Sequence, residues 1–259
     1  MIEDIYHSYL THLEGQREKD KKFHASAAGS CFRKQLYNKY GFPQDKKDIK
    51  SYRYLRLGTI IHKDIENAVS HYNKTNKDES KKLLSEDKIT LDELNVIGTY
   101  DLGLLDDEDN SFKLWDIKTV AAYKWTTKFG RIKNRKPGTD DHYKYQLGTY
   151  ALGIHKKFEV NKISMYLLWY NKNTAMMREQ IVSPEWIDKA LEYWGELNDL
   201  EYDVGENFEE DLIPKYFKGV PYQDWECNYC PYYSICPSDL RENKKKLKGS
   251  IAPKDIRTS

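Results

Sequence analysis

The sequence lacks any uncharged apolar run approaching the roughly 18 residues of a membrane-spanning helix. Its best candidate, Ile163 to Tyr170, has the length of a strand, so no membrane partner is expected. It also lacks a G-x4-G-K-[ST] stretch, which excludes a P-loop and with it an intrinsic helicase motor. The start, Met1-Ile2-Glu3-Asp4, has neither the basic nor the apolar region of a signal peptide, and the expected location is cytoplasmic. One-signed charge is missing as well. A formal net charge of +1 excludes a globally basic nucleic-acid binder, although it leaves local patches open. Internal repeats and low-complexity tracts are absent. Cysteine is scarce, at four residues in 259, and without an export signal these read as metal or cluster ligands rather than disulfides.

What is present is enough to build a core. Apolar residues make up 39% of the chain, and 21 Tyr, 8 Phe and 6 Trp supply packing volume despite a mean hydropathy of −0.85. Ser26 is positioned to cap a short helix carrying Cys31, ended by Gly41 and Pro43. Ile61, Ile65, Val69 and Tyr72 recur at helical spacing and predict a helix over 51–73. Strands are predicted at 85–91, 96–105 and 112–120, an antiparallel meander whose last turn is Asp106 to Asn110. A long basic, aromatic loop follows, then a helix over 142–156 with Leu147, Ala151 and Ile154 facing inward. Strands are expected at 162–170 and 175–182. Ser183 and Pro184 start a helix to about residue 200, with Ile187, Ala190, Leu191, Trp194 and Leu197 on its core face. Seven acidic residues between Asp199 and Asp211 predict an exposed linker. The plan is α/β, with an N-terminal segment over 1–50, a core over 51–205 and a cysteine-bearing segment over 206–259.

Asp116 and Lys118 are two apart on a predicted strand and so share a face. The neighbouring strand can bring Asp101 opposite that face. Two carboxylates and an ammonium suit hard, oxygen-bound Mg²⁺ or Mn²⁺, with the lysine stabilising charge on a phosphoryl group. Taken alone, Asp-Ile-Lys is more often an ordinary exposed strand.

The surrounding motifs shift that balance. Gly98-Thr99-Tyr100-Asp101 followed by Asp116-Ile117-Lys118 resembles the core of the PD-(D/E)xK nuclease superfamily. Leu57-Gly58-Thr59-Ile60-Ile61-His62 resembles the histidine motif of its RecB-like branch, and Gln146 to Tyr150 that branch's Q-x-x-x-Y. Cys31 with Cys227-x2-Cys230-x5-Cys236 resembles the iron–sulfur members, among them CRISPR-associated nucleases and the AddB subunit of helicase–nucleases. The resemblance covers residues 26 to 237. It departs from the pattern in lacking a literal Pro-Asp and in carrying Asp116 where many members have Glu. It implies a restriction-endonuclease-like core of helix, three-strand meander, helix and further strands, with the two end segments joined by a cluster. Position by position it implies His62, Asp101, Asp116 and the Ile117 carbonyl as metal ligands, Lys118 as catalytic lysine, and Gln146 and Tyr150 as positioning residues. Residues four apart on a helix share a face, which agrees for the last pair. Glu66, four after His62, could reach the metal through water, although a solvent-facing glutamate is the commoner outcome.

Four thiolates satisfy a [4Fe-4S] cluster, with zinc as the alternative, although zinc commonly uses two C-x2-C knuckles and here there is one. From Val120 to Tyr150, seven Lys or Arg stand against two Asp, interleaved with aromatics. Lys124, Trp125, Lys128, Arg131, Lys133, Arg135 and Lys136 are the candidate DNA contacts, since basic groups neutralise phosphates and aromatics stack on unpaired bases. The tail from Asp239 to Arg257 is also basic. The expected activity is a metal-dependent DNA exonuclease acting on single-stranded or unwound ends, in recombination, repair or phage DNA processing. Any unwinding would come from a helicase partner. A non-catalytic iron–sulfur DNA-binding module and a zinc-stapled scaffold are the alternatives.

Overall fold

The computed structural model describes residues 1–15, 21–76, 78, 80–136, 138, 140–204, 226–227 and 229–236. Their element order is α1 (Ile2–Gly15), β1 (Phe23–His24), α2 (Phe32–Lys39), α3 (Ile49–Thr75), β2 (Lys81–Leu91), β3 (Val96–Asp106), β4 (Ser111–Val120), α4 (Ala122–Phe129), α5 (Asp141–Phe158), β5 (Lys162–Asn171), β6 (Met177–Val182) and α6 (Glu185–Val204). The chain divides into two compact units. The first takes in the described parts of Met1–Glu18, Lys22–Gly29 and Asp48–Gly195, and the second those of Lys19–Lys21, Ser30–Lys47 and Glu196–Ser259.

The first unit is a mixed six-stranded sheet with helices. Strands β2, β3 and β4 form the expected antiparallel meander. Strand β5 then lies parallel to β4, with Asp116 beside Leu167 and Lys118 beside Trp169. A parallel pair needs a crossover of a dozen or more residues, and α4 and α5 supply it. Leu147, Ala151 and Ile154 of α5 are fully buried, as their spacing predicts, and each buried leucine or isoleucine contributes about 1.5–3 kcal/mol.

Several local expectations give way. Ser26 lies in a 3-10 turn at Ala25–Ala27, and Cys31, not Ser26, occupies the N-cap position of α2. The segment read as a basic loop contains α4, whose Trp125 and Phe129 rings meet at 4.9 Å across one helical turn. On α6, Trp186, Ala190, Tyr193 and Trp194 are buried, whereas Leu191 is exposed. Residues 199–204 continue that helix rather than forming a linker. The rest of the acidic stretch and the basic tail lie outside the described residues.

In the second unit, Tyr37 stacks on Tyr232 at 5.2 Å, and the Asp45 amide donates to the Pro231 carbonyl at 2.6 Å. The four cysteines all belong to this unit, are half-buried and form no disulfide among the described residues.

Candidate active site

The site sits where the β3–β4 ladder stops. The last paired residues are Leu102 and Trp115, and one more step of the same register would set Asp101 directly across from Asp116. The strands part there instead, and the Asp101 carboxylate fills the gap by accepting the Ile117 amide at 2.6 Å. On the other edge of β3, the ladder with β2 skips Glu86, the residue opposite Asp101, which adopts a left-handed φ of 48°. Non-glycine residues in that region cost of order 1–3 kcal/mol and cluster at functional sites. Three carboxylates, Glu86, Asp101 and Asp116, therefore form one row across three strands.

Helix α3 adds His62, whose Nδ1 lies 3.5 Å from Asp101 Oδ1. Burial pulls the His62 pKa down, but the hydrogen bond and charge of Asp101, with the charge of Asp116, outweigh it and raise the net value. Glu66, one turn further on, is not a solvent-facing glutamate. It is 4% exposed, and Lys63 donates to it at 3.0 Å. Glu86 is held above the usual carboxylate range, first by burial and then by the charge and hydrogen bond of Glu66.

Asp116 is 1% exposed, and burial pushes its pKa up to about 6 against the pull of Lys118. The Lys118 ammonium lies 2.7 Å from Asp116 Oδ2, an ion pair withdrawn from water. Burial works against the ammonium, yet Asp116, Tyr143 and Asp101 together raise the Lys118 pKa, so it remains charged. Lys118 donates to Gln146 Oε1 at 2.9 Å, and Gln146 Nε2 donates to the Tyr150 hydroxyl at 2.8 Å. The i, i+4 spacing thus forms a relay along α5 into the sheet. Tyr143, one turn before Gln146, places its ring 4.5 Å from the Lys118 ammonium. The sequence places Tyr143 on the helix over 142–156, among the aromatics interleaved with basic residues, and gives it no part in the site. Its i, i+3, i+7 register with Gln146 and Tyr150 was the available signal. Gly98 has a packing reason: a Cβ there would meet Ala25 Cβ at 2.6 Å and Tyr150 Cε1 at 2.9 Å.

His62, Asp101, Asp116, Lys118, Gln146 and Tyr150 are thus brought to one place. Among the described residues, no three His, Cys, Asp or Glu side chains are arranged as a ready group for a metal ion. The donor chemistry still fits a hard divalent cation: the carboxylate oxygens of Asp101 and Asp116 beside the His62 imidazole.

The cysteines give a weaker test. The Cys230 thiol is pushed up to about 11 by burial, with Cys31 and Cys236 adding charge against its ionisation and Lys34 opposing it. Soft thiol donors suit iron–sulfur or zinc chemistry. Glu226, 5% exposed, accepts the Cys31 amide at 2.8 Å and lies 3.9 Å from Lys34, a neighbour the spacing of the cysteines did not suggest.

The candidate DNA-contact residues are not equivalent. Arg131, Lys133, Arg135 and Lys136 are exposed, whereas Lys124 and Trp125 are half-buried. Lys128 forms a short ion pair with Asp140, and its ammonium lies 4.9 Å from the Trp169 ring.

Among solved structures, SSO0001 shares the fold, with a TM-score of 0.51 and 16% identity over 92% of this chain and 96% of that one. A Eubacterium rectale protein provisionally named an exonuclease gives 0.45 and 15% identity over 75% and 84%. No curated protein matches the sequence. The profile of the PD-(D/E)XK nuclease superfamily matches residues 4–237, which include the fork between β3 and β4 and the helices that serve it. By that match, the chain belongs to the PD-(D/E)XK nuclease superfamily.

Proposed function

We propose that the chain is a Mg²⁺- or Mn²⁺-dependent deoxyribonuclease of the RecB-like, iron–sulfur type, acting as an exonuclease on single-stranded or unwound DNA ends. The observation that carries this reading is the fork itself. Asp101 and Asp116 face each other where the ladder opens, and a charged Lys118 is held between Asp116 and Gln146. His62, Asp101, Asp116 and the Ile117 carbonyl would hold the cation. When bound, it lowers the pKa of water and polarises a phosphoryl oxygen.

The protein's own groups do the rest. Lys118 places positive charge where a phosphodiester gains negative charge on attack. Gln146 fixes the direction of that ammonium, and the Tyr150 hydroxyl fixes Gln146. The Tyr143 ring favours the charged lysine over the neutral one. A lysine so constrained needs little reorganisation on reaching the transition state.

Cys31, Cys227, Cys230 and Cys236 would hold one [4Fe-4S] cluster. The support is their grouping in a single unit and the influence of two of them on Cys230. The cluster's role is structural, because no cysteine belongs to the catalytic fork. A helicase or recombination partner would supply unwound ends.

The test is anaerobic purification with iron and sulfide analysis, followed by digestion of end-labelled linear and closed circular single strands in Mn²⁺. An exonuclease degrades the linear strand and spares the circle. Cleavage of the circle would refute the exonuclease assignment, and zinc in place of iron and sulfide would refute the cluster.

A further inference from the structure

A cleft of about 810 Å³ opens beside His62, walled by α3 between Leu55 and Asn67 and by Glu86 and Tyr170. Its ends differ in charge. Glu66 and Glu86 lie at the end next to His62. Arg56 lies at the other, ten residues back on α3 from Glu66 and so about 15 Å away along the helix axis.

This second end lies close to the sheet. A Cβ on Gly58 would stand 3.1 Å from Thr119 Oγ1, so the helix approaches β4 just beyond Lys118. Tyr170 is the register partner of Thr119 on β5. Two residues later the Lys172 amide donates to the Val120 carbonyl, and the Lys172 ammonium lies 5.5 Å from the centre of the Tyr54 ring. Tyr54 is nevertheless 60% exposed.

Neither Arg56 nor Lys172 has a carboxylate at ion-pair distance among the described residues. Lys118, Lys128 and Lys157 of the same unit each do. Burial alone lowers the Lys172 pKa, with no acidic neighbour to offset it. A cation half-withdrawn from water without an anion is poised to receive one. A cation beside an exposed tyrosine suits one nucleotide of a single strand, where rings stack on unpaired bases and cations track the backbone.

We propose that the Tyr54–Lys172 pair beside this end of the cleft is a subsite for single-stranded nucleic acid, stacking one base on Tyr54 and taking a flanking phosphate on Lys172. It extends the nuclease reading above and rests on it for the direction of the strand. The strand runs from the fork at His62 along α3. Eight residues of helix separate His62 from Tyr54, about 12 Å. At about 3.4 Å per stacked nucleotide, the stacked base lies roughly three to four nucleotides from the reacting bond.

The test is equilibrium binding of a labelled oligodeoxythymidine of about twelve nucleotides to the full chain in EDTA. Tyr54→Ala is expected to raise Kd roughly tenfold, the loss typical of one stacked base, and Tyr54→Phe to stay within about twofold of the parent. With a thymidine dinucleotide, too short to reach from the fork, the Tyr54→Ala effect is expected to shrink towards nothing. Lys172→Gln should reduce the log–log salt slope by about 0.7. Parental affinity of Tyr54→Ala for the long strand, failure of Tyr54→Phe to restore it, or an unchanged slope in Lys172→Gln would each overturn the subsite. Turnover of the p-nitrophenyl ester of thymidine monophosphate by the parent in Mn²⁺ tests the nuclease reading separately. Its absence, with the Tyr54 effect intact, would refute catalysis and leave the subsite standing.

Discussion

Without divalent cations, raising the pH from about 4 to about 8 is expected to weaken the first unit, and Mn²⁺ should restore it only at the upper end. The cause is Asp116, a carboxylate buried beside a second carboxylate, whose pKa rises from the ordinary 3.8 to about 6 in the fold. The folded state then binds this proton more tightly than the unfolded chain. Its stabilisation is complete below 3.8 and is lost as pH climbs through about 6, the reverse of an ion-paired aspartate with a lowered pKa. His62 acts in the same sense: raised above 6.5, it contributes stability below that value and loses it through its folded pKa. Part of the His62 rise comes from the charge of Asp116, so the two contributions overlap. Moving one pKa from 3.8 to about 6 corresponds to about 3 kcal/mol. For a unit of this size that is roughly 6–12 °C in melting temperature. A divalent cation replaces the lost protons and should recover several degrees at about pH 7.5, and little at about pH 5, where protons compete. The assay is thermal melting at both pH values in EDTA and in Mn²⁺, for the parent and for Asp116→Asn/Lys118→Met, which removes both buried charges. An equal metal gain at both pH values, or a parental pH slope in the double variant, would refute the reasoning.

Gln146→Ala removes the acceptor that aims Lys118 and leaves the Tyr150 hydroxyl without its partner. Hydrogen bonds to charged groups contribute about 1.5–3 kcal/mol, so turnover should fall roughly ten- to a hundredfold in steady-state assays with strand binding little changed. Charge reversal at Lys133, Arg135 and Lys136 should lower the salt slope of single-strand binding by about 0.7 for each phosphate that is no longer neutralised. Lys128→Ala should instead lower the melting temperature, because it strips Asp140 of its buried partner. Cys31→Ala is expected to give colourless protein that proteases cut readily, since a cluster linking residue 31 to residues 227–236 closes a long loop and restricts the unfolded chain. Iron and sulfide analysis with limited proteolysis checks this.

How far the sequence carried is clear from particular elements. The existence of α3, the meander and the α5 core face follow from periodicities of 3.6 and 2, which depend only on side-chain direction, but on the predicted α3 stripe Ile61, Ile65 and Val69 are only half-buried and Tyr72 is exposed. The parallel placement of β5 beside β4 did not, because register between non-adjacent strands is decided by tertiary packing. Helix α4 was hidden by its charge: Lys124 and Lys128 read as loop, and Trp125, which packs on Phe129, read as a nucleic-acid contact. The pairing of Lys128 with Asp140, twelve residues on, was equally hidden. Asp101, Asp116 and Lys118 could be placed together from strand alternation and the acidic turn. The left-handed Glu86 and the buried Glu66 could not. Both depend on how strands diverge and helices close over them, and no short motif encodes that.

The most direct test of the catalytic fork is release of nucleotides from an end-labelled single strand in Mn²⁺ by the parent and by Lys118→Ala, with folding followed by melting temperature. Lys118 supplies positive charge at a reacting phosphoryl group, a contribution for which loss of one stabilising donor typically costs about 10²–10³ in rate. The fork predicts Mn²⁺-dependent release by the parent and a fall of at least that size in a variant that still folds and binds the strand. Near-parental release by folded Lys118→Ala would contradict it.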